Sequence, residues 1–123
     1  MIIFEIASRH AAWLSARQEV TAANIANADT PGYKTRDVAA FESVLAHTGV
    51  ELAVTDRMHM AEPDGDASRF EVTHGDSWDT AHSGNDVALE SELMKVGETA
   101  RQLSLDTGVV KAFHRMILAS LKV

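Results

Sequence analysis

The sequence contains no cysteine, only two prolines among its 123 residues, and few basic side chains. The absence of cysteine excludes a disulfide-stapled scaffold, thiol catalysis and zinc sites built on thiolates. Eleven lysines and arginines stand against 18 acidic residues, which gives a net charge of -7. Because a surface that neutralises phosphates needs an excess of basic residues, we expect no nucleic-acid partner. The length is that of one domain.

Long hydrophobic runs are also missing. The apolar stretches are a few residues each, whereas a helix that spans a bilayer needs about 20. The first residues lack the basic region, apolar run and small-residue cleavage site of a secretory signal. We therefore expect no membrane span and no cleavable signal peptide, so that any export follows another route.

Charge and breakers divide the chain into three parts. Residues 29–86 hold twelve of the acidic residues, four of the basic ones, both prolines and five of the seven glycines. A segment with little apolar surface and an excess of one charge buries too little to offset the entropy of ordering. We predict that residues 29–86 form an acidic, loop-rich connecting segment, partly disordered on its own, between helices at 1–28 and 87–123.

The first 28 residues carry apolar side chains at helical spacing in two neighbouring rows. One row contains Ile6, Trp13, Ala16, Val20 and Ala23, and the other contains Phe4, Ala7, Ala11, Leu14, Ile25 and Ala28. This spacing predicts a helix with a broad apolar face. The helix ends before Pro31, because proline disfavours helical geometry in the residue that precedes it, and Gly32 permits the reversal that follows.

The C-terminal segment shows two interleaved heptad rows. The first row consists of Leu93, Ala100, Thr107, His114 and Leu121, and the second of Leu89, Val96, Leu103, Val110 and Ile117. This spacing is typical of a coiled-coil seam, with His114 as a polar residue in a packed core. Asn85 or Asp86 is predicted to cap the start of the helix. The last third, which includes Phe113, is apolar on more than one face, so one neighbouring helix cannot cover it.

The middle segment contains weaker patterns. Residues 50–55 alternate between apolar and polar side chains, residues 70–73 do so briefly, and a turn is plausible at 64–66. These patterns predict at most a small β-hairpin. Residues 41–45 predict a short helix after the turn.

Candidate catalytic and metal-binding groups are scattered. His47, His59, His74 and His82 lack the convergent spacing that a metal site requires. The sequence shows no phosphate-binding glycine loop, nucleophile elbow or paired catalytic carboxylates. We therefore expect no catalytic residues, no metal and no cofactor.

Residues 24–34 form the most informative run of the sequence. In physical terms they are a helix end and a turn, in which Asn27 and Asp29 can bond freed backbone groups and Tyr33 can fold back on the apolar face. These eleven consecutive residues closely resemble the N-terminal signature of bacterial flagellar axial proteins, the rod and hook proteins. Residues 82–93 and 55–59 resemble the FlgB family of basal-body rod proteins within that group. The related FlgC family is the alternative.

The resemblance implies a structural subunit of the proximal rod and no enzyme. It implies terminal helices that pair as an antiparallel coiled-coil hairpin forming one inner domain, a position at the inner-membrane ring, and export through the flagellar type III apparatus. Expected partners are further copies of the chain, other rod proteins, and adaptor and ring components. A non-flagellar helical adaptor and a small metal-dependent enzyme are the other classes considered; the first leaves the turn motif unused, and nothing organises the histidines of the second.

The predicted partner-binding residues come from the motifs and the helix rows. They are Trp13, Val20, Asn24, Asn27, Thr30, Pro31, Gly32, Tyr33, Asn85, Leu89, Leu93, Val96, Leu103, Val110, Phe113, Ile117 and Leu121.

Overall fold

The computed structural model describes residues 2–48, 70–77 and 79–122. Along the chain the elements are α1 (Ile2–Ala26), β1 (Arg36–Val38), α2 (Phe41–Thr48), β2 (Val72–His74) and α3 (Leu89–Leu121). The two long terminal helices, the short helix after the turn and the small antiparallel sheet confirm the predicted fold class. The predicted strand at 50–55 and the predicted turn at 64–66 lie outside the described residues.

The first helix ends because its last carbonyls find local partners and the chain then turns. Asn27 donates both its backbone N–H, at 3.1 Å, and its side-chain amide, at 2.8 Å, to the Ala23 carbonyl. Thr30 donates its hydroxyl to Asn27 Oδ1, at 3.1 Å. Gly32 follows with φ of 75°, a conformation that residues with a β-carbon rarely adopt. The helix therefore stops two residues before the predicted boundary.

Helices α1 and α3 pack side by side in antiparallel orientation. His10 Nδ1 lies 2.5 Å from Asp106 Oδ2 near one end of the pair. Asn24 donates to Glu92 Oε2 at 3.0 Å near the other end. Residue numbers therefore rise along one helix as they fall along the other, as the predicted hairpin requires.

A small apolar core forms where α1 meets the chain that follows it. Trp13, Leu14 and Val38 are its buried members among the described residues, and Phe41 and Val44 of α2 pack against them. The indole N–H of Trp13 donates to the Ala39 carbonyl at 2.8 Å. The hydrogen bond and the ring contacts anchor α2 against α1.

The two-stranded sheet differs from the predicted hairpin. Strand β2 pairs in antiparallel fashion with β1, with Arg36 opposite His74 and Val38 opposite Val72. The sequence did not predict β1, because its polar first residues give no alternation. The strand forms because Asn24 holds the backbone of Arg36 at both its N–H and its carbonyl.

The start of α3 also differs from the prediction. The helix begins at Leu89, and Ala88 before it is extended and offers no side-chain cap. Asn85 and Asp86 do not cap the helix, because their side chains bond to the turn after α1 and to Thr35 instead. The predicted cap is therefore wrong, and the physical reason is competition from these tertiary hydrogen bonds.

The heptad rows of α3 are only partly covered by α1. All five members of the row that begins at Leu93 are exposed, and in the second row Val96, Val110 and Ile117 are half-buried. The residues of α3 that are buried are polar, namely Glu92 and Thr99. His114 is exposed, so its predicted place in a packed core is wrong for the single chain, because α1 covers the neighbouring face.

None of the helices in the described part of the chain combines the length and the apolar character that crossing a membrane requires.

The two glycines inside α3 provide a test of this packing. A β-carbon built at Gly97 or Gly108 would meet no atom within 4 Å. Since glycine costs a helix about 1 kcal/mol relative to alanine, we expect Gly97→Ala and Gly108→Ala each to raise the free energy of unfolding by about that amount. Urea unfolding followed by circular dichroism measures the change.

The control for this test is Gly84→Ala. Gly84 has φ of 80°, and a β-carbon there would lie 3.4 Å from Gly32 Cα. We expect this variant to lose about 1–2 kcal/mol of stability, because left-handed backbone is costly for alanine. A loss of stability in Gly97→Ala or Gly108→Ala would contradict the finding that these two positions have space for a β-carbon.

Candidate functional site

The two sequence motifs lie against each other in the structure. Residues 24–34 at the end of α1 contact residues 81–86, which precede α3. Gly32 donates its N–H to the Ser83 carbonyl at 2.9 Å, and Lys34 Nζ donates to the Gly84 carbonyl at 2.9 Å. The two motifs therefore form one structural unit, which we call the junction (residues 24–37, 81–86 and Glu92).

Asn24 is the centre of the junction and is fully buried. Its amide donates to the Arg36 carbonyl at 2.7 Å and to Glu92 Oε2 at 3.0 Å. Its Oδ1 accepts from the Arg36 N–H and from the Tyr33 hydroxyl, each at 3.2 Å. All the hydrogen-bonding capacity of one amide is thus used to join α1, β1 and α3.

Glu92 brings a buried carboxylate into the junction, with 1% of its surface exposed. Lys95 Nζ donates to Glu92 Oε1 at 3.0 Å and lies 3.4 Å from Asp37 Oδ2. Arg17 Nε donates to Asp37 Oδ1 at 3.3 Å. A buried charge needs a partner of opposite charge and hydrogen bonds. These connected ion pairs supply both.

Asn85 ties the turn to the start of α3. Its amide donates to the Asn27 carbonyl at 2.8 Å and to the Thr30 carbonyl at 2.7 Å. Its Oδ1 accepts the Val87 N–H at 2.9 Å. The side chain satisfies two carbonyls at the end of one helix and one N–H near the start of the other.

Asp86 bonds to Thr35, which sequence analysis had not singled out. The Thr35 N–H and hydroxyl donate to Asp86 Oδ1 at 2.5 and 2.8 Å. The pKa of Asp86 is lowered from its ordinary value of 3.8, mainly because the Thr35 N–H stabilises the carboxylate. The Thr35 hydroxyl and the charges of Lys34 and His74 act in the same direction, while partial burial opposes them.

The predicted site residues fall into two groups. Those of the junction are Asn24, Asn27, Thr30, Pro31, Gly32, Tyr33 and Asn85, of which Asn24 and Asn85 are buried. Those of the helices are Trp13, which is buried, the half-buried Val20, Val96, Val110, Phe113 and Ile117, and the exposed Leu89, Leu93, Leu103 and Leu121. Their role in binding partners stays a prediction.

Sequence analysis did not identify Glu92, Thr35 or the connected ion pairs of Arg17, Asp37 and Lys95 as parts of the junction. Glu92 lies three residues after Leu89 and four before Val96, on the face that meets α1. An acidic residue that shares a helix face with two apolar residues is the signal that could have identified it.

The arrangement is suited to holding segments together. Among residues 2–48, 70–77 and 79–122, no three histidine or acidic side chains converge to hold a metal ion. His74 and His82 are both exposed, and His59 lies outside the described residues. The polar groups of the junction are engaged with one another and with the backbone.

Removing the central amide should loosen the whole junction. We expect Asn24→Ala to lower the free energy of unfolding by about 3 kcal/mol, because it leaves one oxygen of the buried Glu92 carboxylate and two backbone groups of Arg36 without their partners. The matched control is Asn27→Ala, whose side chain makes only local bonds and whose loss should cost about 1 kcal/mol. Urea denaturation compares the two, and equal losses would contradict the central role of Asn24.

The Asp86–Thr35 contact predicts a specific pH dependence. Because folding lowers the pKa of Asp86, its contribution is complete above the ordinary value of 3.8 and is lost as pH falls through the lowered pKa. Asp86→Asn should therefore be less stable than the parent chain near pH 6, and the difference should shrink in more acidic buffers. Urea midpoints measured across this range test the prediction, which fails if the gap stays constant.

Comparison with known proteins identifies relatives of this chain. A family model described as "Flagella basal body rod protein" matches residues 6–34, which include most of α1 and the turn after it. The flagellar basal body rod protein FlgB of Agrobacterium fabrum (strain C58) is 43% identical over 125 residues, covering 98% of this chain and 92% of the relative. FlgB of Proteus mirabilis (strain HI4320) is 28% identical over 115 residues, covering 86% and 83%.

FlgB of Aeromonas hydrophila is 48% identical over a shorter stretch of 50 residues, which covers 38% of each chain. These relatives carry one and the same name, and the FlgC alternative is not favoured. Identity of 43% along nearly the full length of both chains leads to one conclusion. The chain belongs to the FlgB family of flagellar basal-body rod proteins, the structural subunits of that rod.

Proposed function

We propose that this chain is a structural subunit of the proximal part of the rod, with no enzymatic activity, and that it contributes to the axial structure that transmits torque from the inner-membrane ring. Its proposed partners are other copies of itself, other rod proteins, and adaptor and ring components of the basal body. Its proposed place is the periplasmic rod, reached through the flagellar type III apparatus without a cleavable signal peptide.

The observation that carries this proposal is the set of large hydrophobic side chains that α3 leaves exposed in and beside its first heptad row. Leu93 is 56% exposed and Leu121 is 73% exposed, although both belong to a heptad row that is typical of helix packing. Met94 and Leu103 nearby are also exposed, and an exposed apolar surface of this kind is typical of a contact with another protein. Contact with helices of neighbouring subunits gives the row its burial.

The junction supports the same function by fixing the two ends of the chain to each other. Asn24 and Glu92 join the end of α1 to the start of α3, so a force applied to one helix is transmitted to the other through buried bonds. A subunit that carries torque needs such a connection between its outer contacts.

The small core is compatible with passage through an export channel. Among the described residues only Trp13, Leu14 and Val38 are buried hydrophobic side chains. A core of this size contributes less stability than that of a larger domain, so unfolding the chain for export costs less. Contacts with neighbours add to the stability of the junction and the core in the assembled rod.

The other functional classes have less support. A free-standing adaptor would explain the heptads but would leave the junction between the two motifs without a role. A metal-dependent enzyme would need convergent histidines. His74 and His82 are exposed, and no group of three possible metal ligands forms within the described part of the chain.

A substitution in the exposed row tests the proposal. We expect Leu93→Gln to abolish rod formation and swimming in cells that lack the native copy, because glutamine keeps the helix but removes about 1–3 kcal/mol of burial at each contact between subunits. Swimming in soft agar and electron microscopy of isolated basal bodies measure the outcome.

The matched control is Ser104→Gln, which places the same side chain at an exposed polar position of α3. It should leave swimming and rods unchanged at equal expression. Normal rods with Leu93→Gln, or normal swimming in cells without the chain, would contradict the proposed function.

A further inference from the structure

One side of the α1–α3 pair contains an open groove. Its first part, about 480 Å³, lies between the middle of α1 and the facing part of α3. Its second part, about 350 Å³, continues from there toward the start of α1, and both parts share Ala11 and Leu103. The exposed row of α3 borders this groove, since Ala100 lines the first part and Thr107 the second.

The wall that α1 contributes to the groove includes a line of small residues at helical spacing. Ala7, Ala11 and Ser15 follow each other at intervals of four residues, which places them on one line along the helix. Small side chains along such a line allow another helix to approach closely and to insert its larger side chains.

The floor of the groove is incomplete in the single chain. Thr99 lines it and is almost fully buried, yet its hydroxyl has no hydrogen-bond partner among the described residues. A threonine inside a helix usually donates its hydroxyl to a carbonyl one turn earlier. The floor of the groove therefore contains a buried polar atom that no described residue of the single chain pairs.

The same molecule carries an apolar helix end that α1 does not cover. Since His10 lies level with Asp106, the first described residue of α1 is level with about residue 114 of α3 at equal rise per residue. The last two turns of α3, residues 115–121, therefore extend past α1. Three of their four large hydrophobic side chains are exposed, with Leu118 at 50% and Leu121 at 73%, and Ile117 is half-buried. We call these two turns the overhang.

We propose that the overhang of one copy of this chain lies in the groove of a second copy. The overhang supplies leucines, and the groove supplies a channel with a line of small residues along one wall. The charges are also complementary, because the overhang carries Arg115 and no acidic residue, while the groove is lined by two acidic residues, Glu19 and Asp106, and one basic residue, Lys111.

The contact cannot form within one chain. The overhang is the rigid continuation of α3, whose 33 residues are helical throughout, and it points away from the groove. Groove and overhang are also different surfaces, so the contact is heterologous, and each copy that docks leaves a free groove and a free overhang for the next. The inference rests on the proposed function as a rod subunit and specifies how copies of the chain contact each other.

Sedimentation velocity of the purified full chain tests the contact. The parent chain should associate reversibly as its concentration rises toward about 1 mM. Ser15→Arg fills the groove, and the double variant Leu118→Gln/Leu121→Gln removes the apolar side chains of the overhang. Each should weaken association about tenfold or more with unchanged circular dichroism.

Two control variants make the same chemical changes at positions outside the groove and the overhang. Ala12→Arg adds the same arginine to an exposed position of α1 that does not line the groove. Leu105→Gln changes a leucine of α3 that is 67% exposed and lines neither part of the groove. Both should associate like the parent chain.

Mixing the two defective variants gives the decisive result. Ser15→Arg retains an intact overhang and the double variant retains an intact groove, so an equimolar mixture should form one-to-one dimers and no larger species. Failure of the mixture to form dimers, a parent chain that stays monomeric at about 1 mM, or equal weakening by Leu105→Gln would overturn the proposal.

This outcome is distinguishable from failure of the proposed function. If the mixture stays monomeric while Leu93→Gln still abolishes rods in cells, the chain is a rod subunit that uses its exposed row on a different protein. If cells without the chain swim normally, the rod function fails whatever the chain does in the centrifuge.

Discussion

The structure depends on one buried hydrogen bond, from the amide of Asn24 to the carboxylate of Glu92, 3.0 Å apart. A carboxylate with 1% exposure is stable only if donors surround it, and a buried amide is stable only if all its groups are paired. Each residue therefore requires the other, and through them α1, β1 and α3 require each other. The apolar core alone could not hold them, because Trp13, Leu14 and Val38 are its only buried hydrophobic side chains among the described residues.

The distribution of polar and apolar side chains differs from that of an ordinary two-helix hairpin, in which the leucine rows face inward. Here the buried positions of α3 are polar, and its leucines face outward or lie at the edge of the pair. Polar groups fix the shape of the single subunit, while apolar groups remain available for contacts between subunits. A subunit of an assembled rod has reason to separate the two, since its outward apolar surface is buried only on assembly.

The sequence predicted the elements whose signals are local. The helical spacing of apolar residues in 2–26 and 89–121, and the stop at Pro31, indicated both helices to within two residues. The pattern did not predict β1, because what holds Arg36 in a strand is Asn24, twelve residues away, and not the side chains of the strand itself. It misplaced Asn85 and Asp86 for the same reason: each can cap a helix, and only the three-dimensional position of Thr30 and Thr35 determines that they bond elsewhere. Glu92 could have been identified as a buried polar residue, since an acidic side chain on the same helix face as Leu89 and Val96 requires a partner.

The polar pair also determines how far α3 reaches. Rows of leucine and valine tolerate a shift of one heptad, because each residue then meets another of its kind. The pair of Asn24 and Glu92 does not, since a shift by seven residues would place Thr99 opposite Asn24 and leave the carboxylate of Glu92 without its amide donor. The register of the two helices is thereby fixed to a single value. The number of residues by which α3 extends past α1 is fixed with it. In the proposed contact between copies, the spacing of neighbouring subunits would therefore be determined by a hydrogen bond inside each monomer.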